Sequence, residues 1–226
     1  MRIANNNSVN LTRQKGNKNP KSKYFIISEG DLTEIQYFNG IKENSSDLSI
    51  NSLIEIIIVE NDESEKGESH PLIKIKNFRS EIENNTIIYD KEIDKVCFIF
   101  DRDPQNFKDY QYDEFINECK SNAFCPYISN PTFEFFLLLH SDNIFTLNKD
   151  EMLLNKKENM RGKRFLEKKL SEFFGFNKSH INFNILKNNI KKAIKNEKSF
   201  CEDILKLKDK LGSNVGLLIE QMIDNN

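Results

Sequence analysis

The chain has 226 residues, 38% hydrophobic and 30% charged, with 33 basic against 35 acidic side chains and a net charge of −2. Such a length holds one substantial core with at most a smaller appendage. The longest unbroken apolar stretch, Phe135 to Leu139, is far too short to span a bilayer, and the first twenty residues lack the hydrophobic segment of a signal peptide, so no membrane span or secretion is expected and the cytoplasm is the expected address.

Residues 1–22 are rich in Asn, Lys and Ser with almost no apolar content, and are expected to form a basic arm that stays disordered in isolation. From Lys23 the pattern changes. Tyr24 to Ser28 reads as a first strand, and Asp31 followed by Glu34 reads as a capping box opening a helix through Ile35, Tyr37, Phe38 and Ile41. Ile54 to Val59 is a second strand. Leu72, Ile73, Ile75, Phe78 and Ile82 have helical spacing and predict a crossover helix, leading to a third strand at 95–100. A helix is predicted from about Asp109 to Ser121 and a fourth strand from Phe124 to Ser129. Asn130 then offers an N-cap and Pro131 the first position of a helix burying Phe133, Phe136, Leu137 and Leu139. This alternation implies a mostly parallel α/β sheet flanked by helices, over residues 23–140.

Residues 141–226 are expected to be a basic helical extension packed on that core. Leu166, Leu170, Phe173 and Phe174 make one helical stripe and Ile185 to Ile194 another, while Ser199-x-x-Glu202 reads as the cap of a third helix carrying Ile204, Leu205 and Leu211.

Charge is divided along the chain. Residues 1–23 carry +6 and residues 156–210 carry +9, against −15 for residues 24–155. An acidic layer between basic flanks suits an enzyme that holds metal ions and a polyanion together, although Lys can equally serve as generic solvated surface. Arg161, Lys163, Arg164, Lys168 and Lys169, with Phe165 and Phe173 interleaved, are the candidate phosphate contacts.

Two short acidic strings carry the chemistry. Glu29 follows the first strand and Asp101 and Asp103 follow the third, and carboxylates at strand ends in an α/β chain can converge on one point. Clustered anions repel, and a bound divalent cation resolves the repulsion. Glu29 is a candidate metal ligand or proton-transfer group, next to Gly30, which would permit a sharp turn or a close approach. Asp101 and Asp103 are expected to share the ion, alternate extended positions pointing one way while Arg102 turns outward. Glu34 is either the capping-box partner of Asp31 or a second-metal ligand. Glu134 either complements the dipole of its helix or adds a carboxylate near the metal. Four cysteines without CxxC spacing argue against zinc, and three histidines without ligand spacing, with no Gly-x-Ser-x-Gly elbow, argue against triad chemistry.

A Glu after the first strand and an Asp-x-Asp after a later one resembles a Toprim domain, a Rossmann-like fold. The finer resemblance is to the RloB-like family, carried by SEGDLTEIQYF at 28–38, FDRD at 100–103, SNPTFEFFLLLH at 129–140 and SNVGLLIEQM at 213–222. The resemblance implies a metal-dependent nuclease, using magnesium with manganese as a substitute, on DNA or on tRNA or other RNA, in bacterial antiviral defence of the abortive-infection type. It also implies an ABC-type ATPase partner of the kind found in OLD-like systems. Assembly with further copies of the chain is open. A topoisomerase is disfavoured for want of strand-passage domains, and an aspartyl-nucleophile phosphatase because its Asp-x-Asp follows the first strand. Two other readings stand beside the nuclease: a regulatory subunit that mainly binds the ATPase, and a nucleic-acid-binding module with a degenerate metal site.

Overall fold

Four apolar runs rich in β-branched and aromatic residues pair side by side as parallel strands. In the computed structural model, which describes residues 2–3, 21–30, 32–60, 70–157, 159 and 162–224, β2 (Ser22–Ser28) lies between β3 (Ile54–Glu60) and β4 (Lys95–Asp101), and β5 (Cys125–Asn130) lies beyond β4. Two short edge strands run antiparallel: β1 (Arg2–Ile3) on β3 and β6 (Gly212–Ser213) on β5. Part of the basic arm expected to be disordered therefore joins the sheet. Residues 4–20 of that arm, like Asp31 of the proposed capping box, lie outside the described residues.

The strands are apolar on both faces because both faces are covered. Tyr24, Ile26, Cys97 and Ile99 point into a core shared with α1 (Thr33–Glu43) and α4 (Phe133–Leu138). Phe25, Ile27, Phe98 and Phe100 point the other way, onto Ile75 and Phe78 of α2 (Pro71–Glu83) and Phe115 of α3 (Asp109–Ser121). Burying each such phenyl ring contributes about 1.5–3 kcal/mol, and edge-on ring pairs such as Phe25–Phe78, 5.5 Å between centroids, add about 0.5–1.5 kcal/mol. The molecule is thus a Rossmann-like three-layer α/β fold of the kind expected for a Toprim-like chain.

The strand order sets the site. From β2 the chain passes by α1 on one face to β3, then by α2 on the other face to β4, which pairs with the free side of β2. The direction of winding reverses between β2 and β4, so their C-terminal ends flank a crevice, the usual ligand position in open α/β sheets. Ser28 is in register with Ile99, and Glu29 N–H extends the ladder to Ile99 O at 3.0 Å.

Two local readings are corrected on this side of the fold. Arg102 does not turn outward: it is buried, donating to Lys208 O at 2.9 Å, to Phe107 O and to Asp109. In a sheet covered on both faces, the side opposite Asp101 and Asp103 is interior as well. Nor does Asn130 cap α4. It ends β5 and donates through Nδ2 to Leu207 O at 2.7 Å, and the helix starts only at Phe133, after Thr132.

The C-terminal part is helical and shares the α1 face of the core. α5 (Lys149–Leu154) and α6 (Phe165–Phe174) are followed by α7 (Phe183–Lys187) and α8 (Ile190–Glu197), so the Ile185 to Ile194 stripe is broken at Asn188–Asn189 rather than continuous. The third expected helix is absent: residues 201–211 form turns, with Cys201 bridged to Gly212. The last helix is α9 (Val215–Asp224), whose Val215, Leu218, Ile219 and Met222 are fully buried. The SNVGLL string docks it. Asn214 Oδ1 accepts from Ile128 N at 2.6 Å, Ser213 Oγ meets Ser129 Oγ at 3.2 Å, and Glu197 Oε1 accepts from Gly216 N at 3.0 Å. No helix among the described residues is long and apolar enough to cross a membrane.

Candidate active site

Glu29 and Asp101 meet because their strands are neighbours. Glu29 Oε2 accepts from the backbone N–H of Asp101 at 3.1 Å, which ties the end of β2 to the end of β4. Asp101 Oδ1 accepts in turn from Phe133 N at 2.8 Å and so caps α4, whose own Thr132 makes no capping bond. Among the described residues, Oε1 of Glu29 and Oδ2 of Asp101 have no hydrogen-bond partner and stay free for a ligand.

Two further carboxylates stand behind this pair. Glu34, in the first turn of α1, and Glu134, in the first turn of α4, are both buried. Gly30 is small for a reason: a Cβ there would stand 2.9 Å from Glu34 Oε2. Desolvation, reinforced by Glu134 and Glu29, pushes the Glu34 carboxyl up to about 7. Desolvation and then Glu34, Glu29 and Glu134 hold Asp101 well above the usual carboxylate range. Glu29 is raised by burial and by Asp103, against the Asp101 N–H and the Lys74 ammonium, which lower it. The four carboxylates therefore form one interacting anionic group.

Asp103 sits at the mouth. Its Oδ2 is 3.0 Å from Arg164 Nη1 and accepts from Asn106 Nδ2 at 3.2 Å, while Oδ1 accepts from Gln105 N at 3.1 Å. A cavity of about 120 Å³ is lined by Glu29, His70, Pro71, Asp101, Asp103, Asn106 and Phe107. Of the carboxylates named from the sequence, Glu29, Asp101 and Asp103 thus face one cavity, while Glu34 and Glu134 lie behind it.

The basic residues named from the sequence divide. Arg164 reaches the cleft through Asp103. Lys163 Nζ donates to Ser171 Oγ at 3.0 Å, Lys169 pairs with Glu172 at 2.7 Å and lies over the Phe165 ring, and Lys168 is on the same helix. Arg161 lies outside the described residues. Lys178 was not legible from sequence. It stands 3.5 Å from Glu134 and pairs with Glu167, and although desolvation pulls its ammonium down, these acids outweigh it and raise it. Its loop is fastened over α1: Thr33 Oγ1 donates to Lys178 O at 2.9 Å, Gln36 Nε2 to Ser179 O at 2.8 Å, and Ile181 N to Gln36 Oε1 at 3.1 Å. His70 and the buried Lys74, whose Nζ donates to Ser28 O at 2.6 Å, were missed as well.

His140, at the end of the SNPTFEFFLLLH string, belongs to the core. It is buried, its Nδ1 bonds Leu137 O at 3.0 Å and its Nε2 meets Tyr37 Oη at 3.1 Å, and burial lowers it to about 4.

The donor set fits a hard divalent cation, which takes carboxylate oxygens and retained waters. Among the described residues, however, no group of three or more His, Cys, Asp or Glu side chains is already placed to hold an ion. The carboxylates share a cleft but would have to draw closer around a cation. No curated protein and no solved structure matches the chain. The family model described as RloB-like protein matches residues 24–222, from within β2 to the last turn of α9, and the chain belongs to the RloB-like family.

Proposed function

We propose that this chain hydrolyses nucleic-acid phosphodiesters with a bound divalent cation, magnesium or manganese in its place. The observation that carries the reading is the meeting of Glu29 and Asp101 at the reversal point of a parallel sheet, with Glu34 and Glu134 behind them. Glu29, Asp101 and Asp103 would hold the cation, and Glu34 is the reserve ligand. When bound, the cation supplies charge compensation for the phosphoryl oxygens. Glu134, held by Lys178, maintains the negative field that keeps the cation in place. Arg164 and Lys178 put two positive charges beside the carboxylates, where a polyanion would enter, and Lys163, Lys168, Lys169 and Arg161 would extend its track. Membership in the RloB-like family supports placing this chemistry in bacterial antiviral defence under an ABC-type ATPase partner.

A second reading has its own observation. The Arg164–Asp103 ion pair, and the lack of a ready-made group of three ligands among the described residues, suit a subunit that becomes competent only on assembly with the ATPase or with further copies of itself. Incubating the chain with plasmid DNA and with total tRNA, in magnesium, manganese or EDTA, tests the first reading. Cleavage is expected with either metal, none in EDTA, and a loss of at least about 100-fold in Glu29→Ala and Asp103→Ala. Metal-independent cutting, or full activity in both variants, would overturn it, and cutting only after the ATPase is added would favour the second reading.

A further inference from the structure

His70 stands at the start of α2 on the wall of the acidic cavity, together with Glu29, Asp101, Asp103 and Asn106. Its Nδ1 accepts the backbone N–H of Leu72 at 3.3 Å, and the Phe107 ring meets it edge-on at 6.1 Å and 84°. A neutral imidazole that accepts at Nδ1 carries its proton on Nε2. That Nε2 is buried and has no hydrogen-bond partner among the described residues. A buried donor left unsatisfied in the free protein is costly, and such groups are retained where a ligand supplies the acceptor.

The rest of the cavity wall defines that ligand. Once a cation has displaced their protons, Glu29, Asp101 and Asp103 offer only acceptors, and Asn106 Nδ2 donates to Asp103. The wall thus presents acceptors for a cation and, beside the solvent-exposed amide of Asn106, one buried donor without a partner among the described residues, His70 Nε2–H. A phosphodiester group has only acceptor oxygens, and the cavity of about 120 Å³ has room for a phosphate and a few waters. Ligation of a metal through Nε2 would instead need the proton on Nδ1, which gives up the bond to Leu72.

We infer that His70 is a catalytic residue of this site, donating a hydrogen bond from Nε2–H to a phosphoryl oxygen of the substrate, with no proton transferred. The inference rests on the phosphodiesterase reading above and adds the residue that recognises the phosphate. Two substitutions separate this role from helix capping. In His70→Asn the side-chain oxygen takes the place of Nδ1, so the cap survives and the donor is lost. In His70→Gln the amide nitrogen falls near the position of Nε2, so the donor survives and the cap is lost.

The expected result is that His70→Asn melts within a degree or two of the parent yet cleaves plasmid or tRNA about 100-fold more slowly, whereas His70→Gln melts several degrees lower and recovers about tenfold over His70→Asn. Parent-like cleavage by His70→Asn would overturn the donor role and leave the nuclease reading standing. A readout independent of cleavage uses the full chain with ¹⁵N-labelled histidine, which has only three imidazoles to resolve. The His70 ring should show a protonated Nε2 and a bare Nδ1, and its Nε2 signal should move saturably when inorganic phosphate is added with magnesium, while that of His180 stays fixed. A proton on Nδ1, or an unmoved His70 signal, would overturn the inference whether or not the chain cleaves. A His70 response in a chain that cuts neither substrate, alone or with the ATPase added, would keep the phosphate contact and sink the nuclease reading.

Discussion

At the scale of single residues, Glu34 shows most plainly what the acidic cluster costs. Its carboxyl, at about 7 in the folded protein against 4.5 for an ordinary Glu, binds its proton more tightly folded than unfolded. Below about pH 4.5 both states are protonated and the penalty is absent. As pH rises towards 7 the unfolded chain releases its proton first, so stability falls, by at most roughly 3 kcal/mol once Glu34 is ionised in both states. Thermal melts of the metal-free protein should therefore show a decreasing melting temperature from pH 4.5 to 7, with a shallower slope in Glu34→Gln. A flat profile in the parent, or the same slope in the variant, would show that Glu34 is not the strained group. The sequence made Glu29, Asp101 and Asp103 legible because a polar break after an apolar strand is a local signal. Lys178 and His70 carry no such signal. Lys178 reaches Glu134 only through the loop clamped on Thr33 and Gln36, and His70 matters through a cavity wall that other elements build.

At the scale of elements, the helices of the first half follow their apolar spacing closely, and α3 (Asp109–Ser121) runs between the residues its pattern indicates. The misread helix at 199–211 fails for a reason that local pattern cannot show. Its carbonyls are taken by side chains from α3, from β5 and from the turn after β4: Ile204 O by Tyr112 Oη at 2.6 Å, Leu207 O by Asn130 Nδ2 at 2.7 Å, and Lys208 O by Arg102 Nε at 2.9 Å. Cys201 meanwhile spends its own backbone groups on Leu211 O at 3.2 Å and Ser213 N at 3.0 Å. Elements are also fitted by small residues. Gly40 of α1 faces Phe183 of α7 so closely that a Cβ would overlap the ring. Gly40→Ala should gain the usual helix-propensity increment yet lose about 1–3 kcal/mol net from overpacking, read from the urea midpoint. An unchanged or raised midpoint would contradict this packing of α7 on α1.

At the scale of the whole molecule, the charge division takes on a different meaning from the one composition suggests. Many cations of the C-terminal part fold back onto acids of the sheet half: Arg164 on Asp103, Lys178 on Glu134, Lys187 on Asp47 and Lys208 on Asp113. Exposed pairs of this kind contribute little stability singly, so the C-terminal helices are held by the apolar side chains they bury in the shared core, Leu166 and Leu170 of α6 and Leu218, Ile219 and Met222 of α9 among them. Leu218→Ala should cost about 2–5 kcal/mol and shift a single unfolding transition common to near- and far-ultraviolet circular dichroism. Two separate transitions in the parent would show that residues 141–226 fold apart from the sheet. The central claim is that the carboxylates gathered between β2 and β4 form a divalent-cation site. Calorimetric titration of the metal-free chain with magnesium at neutral pH, in buffers of different ionisation enthalpy, measures this directly. Saturable uptake with proton release is expected, since Glu34 and Asp101 must give up protons to an ion, and both should disappear in Asp101→Asn. No saturable uptake by the parent, or equal uptake by the variant, would contradict the account.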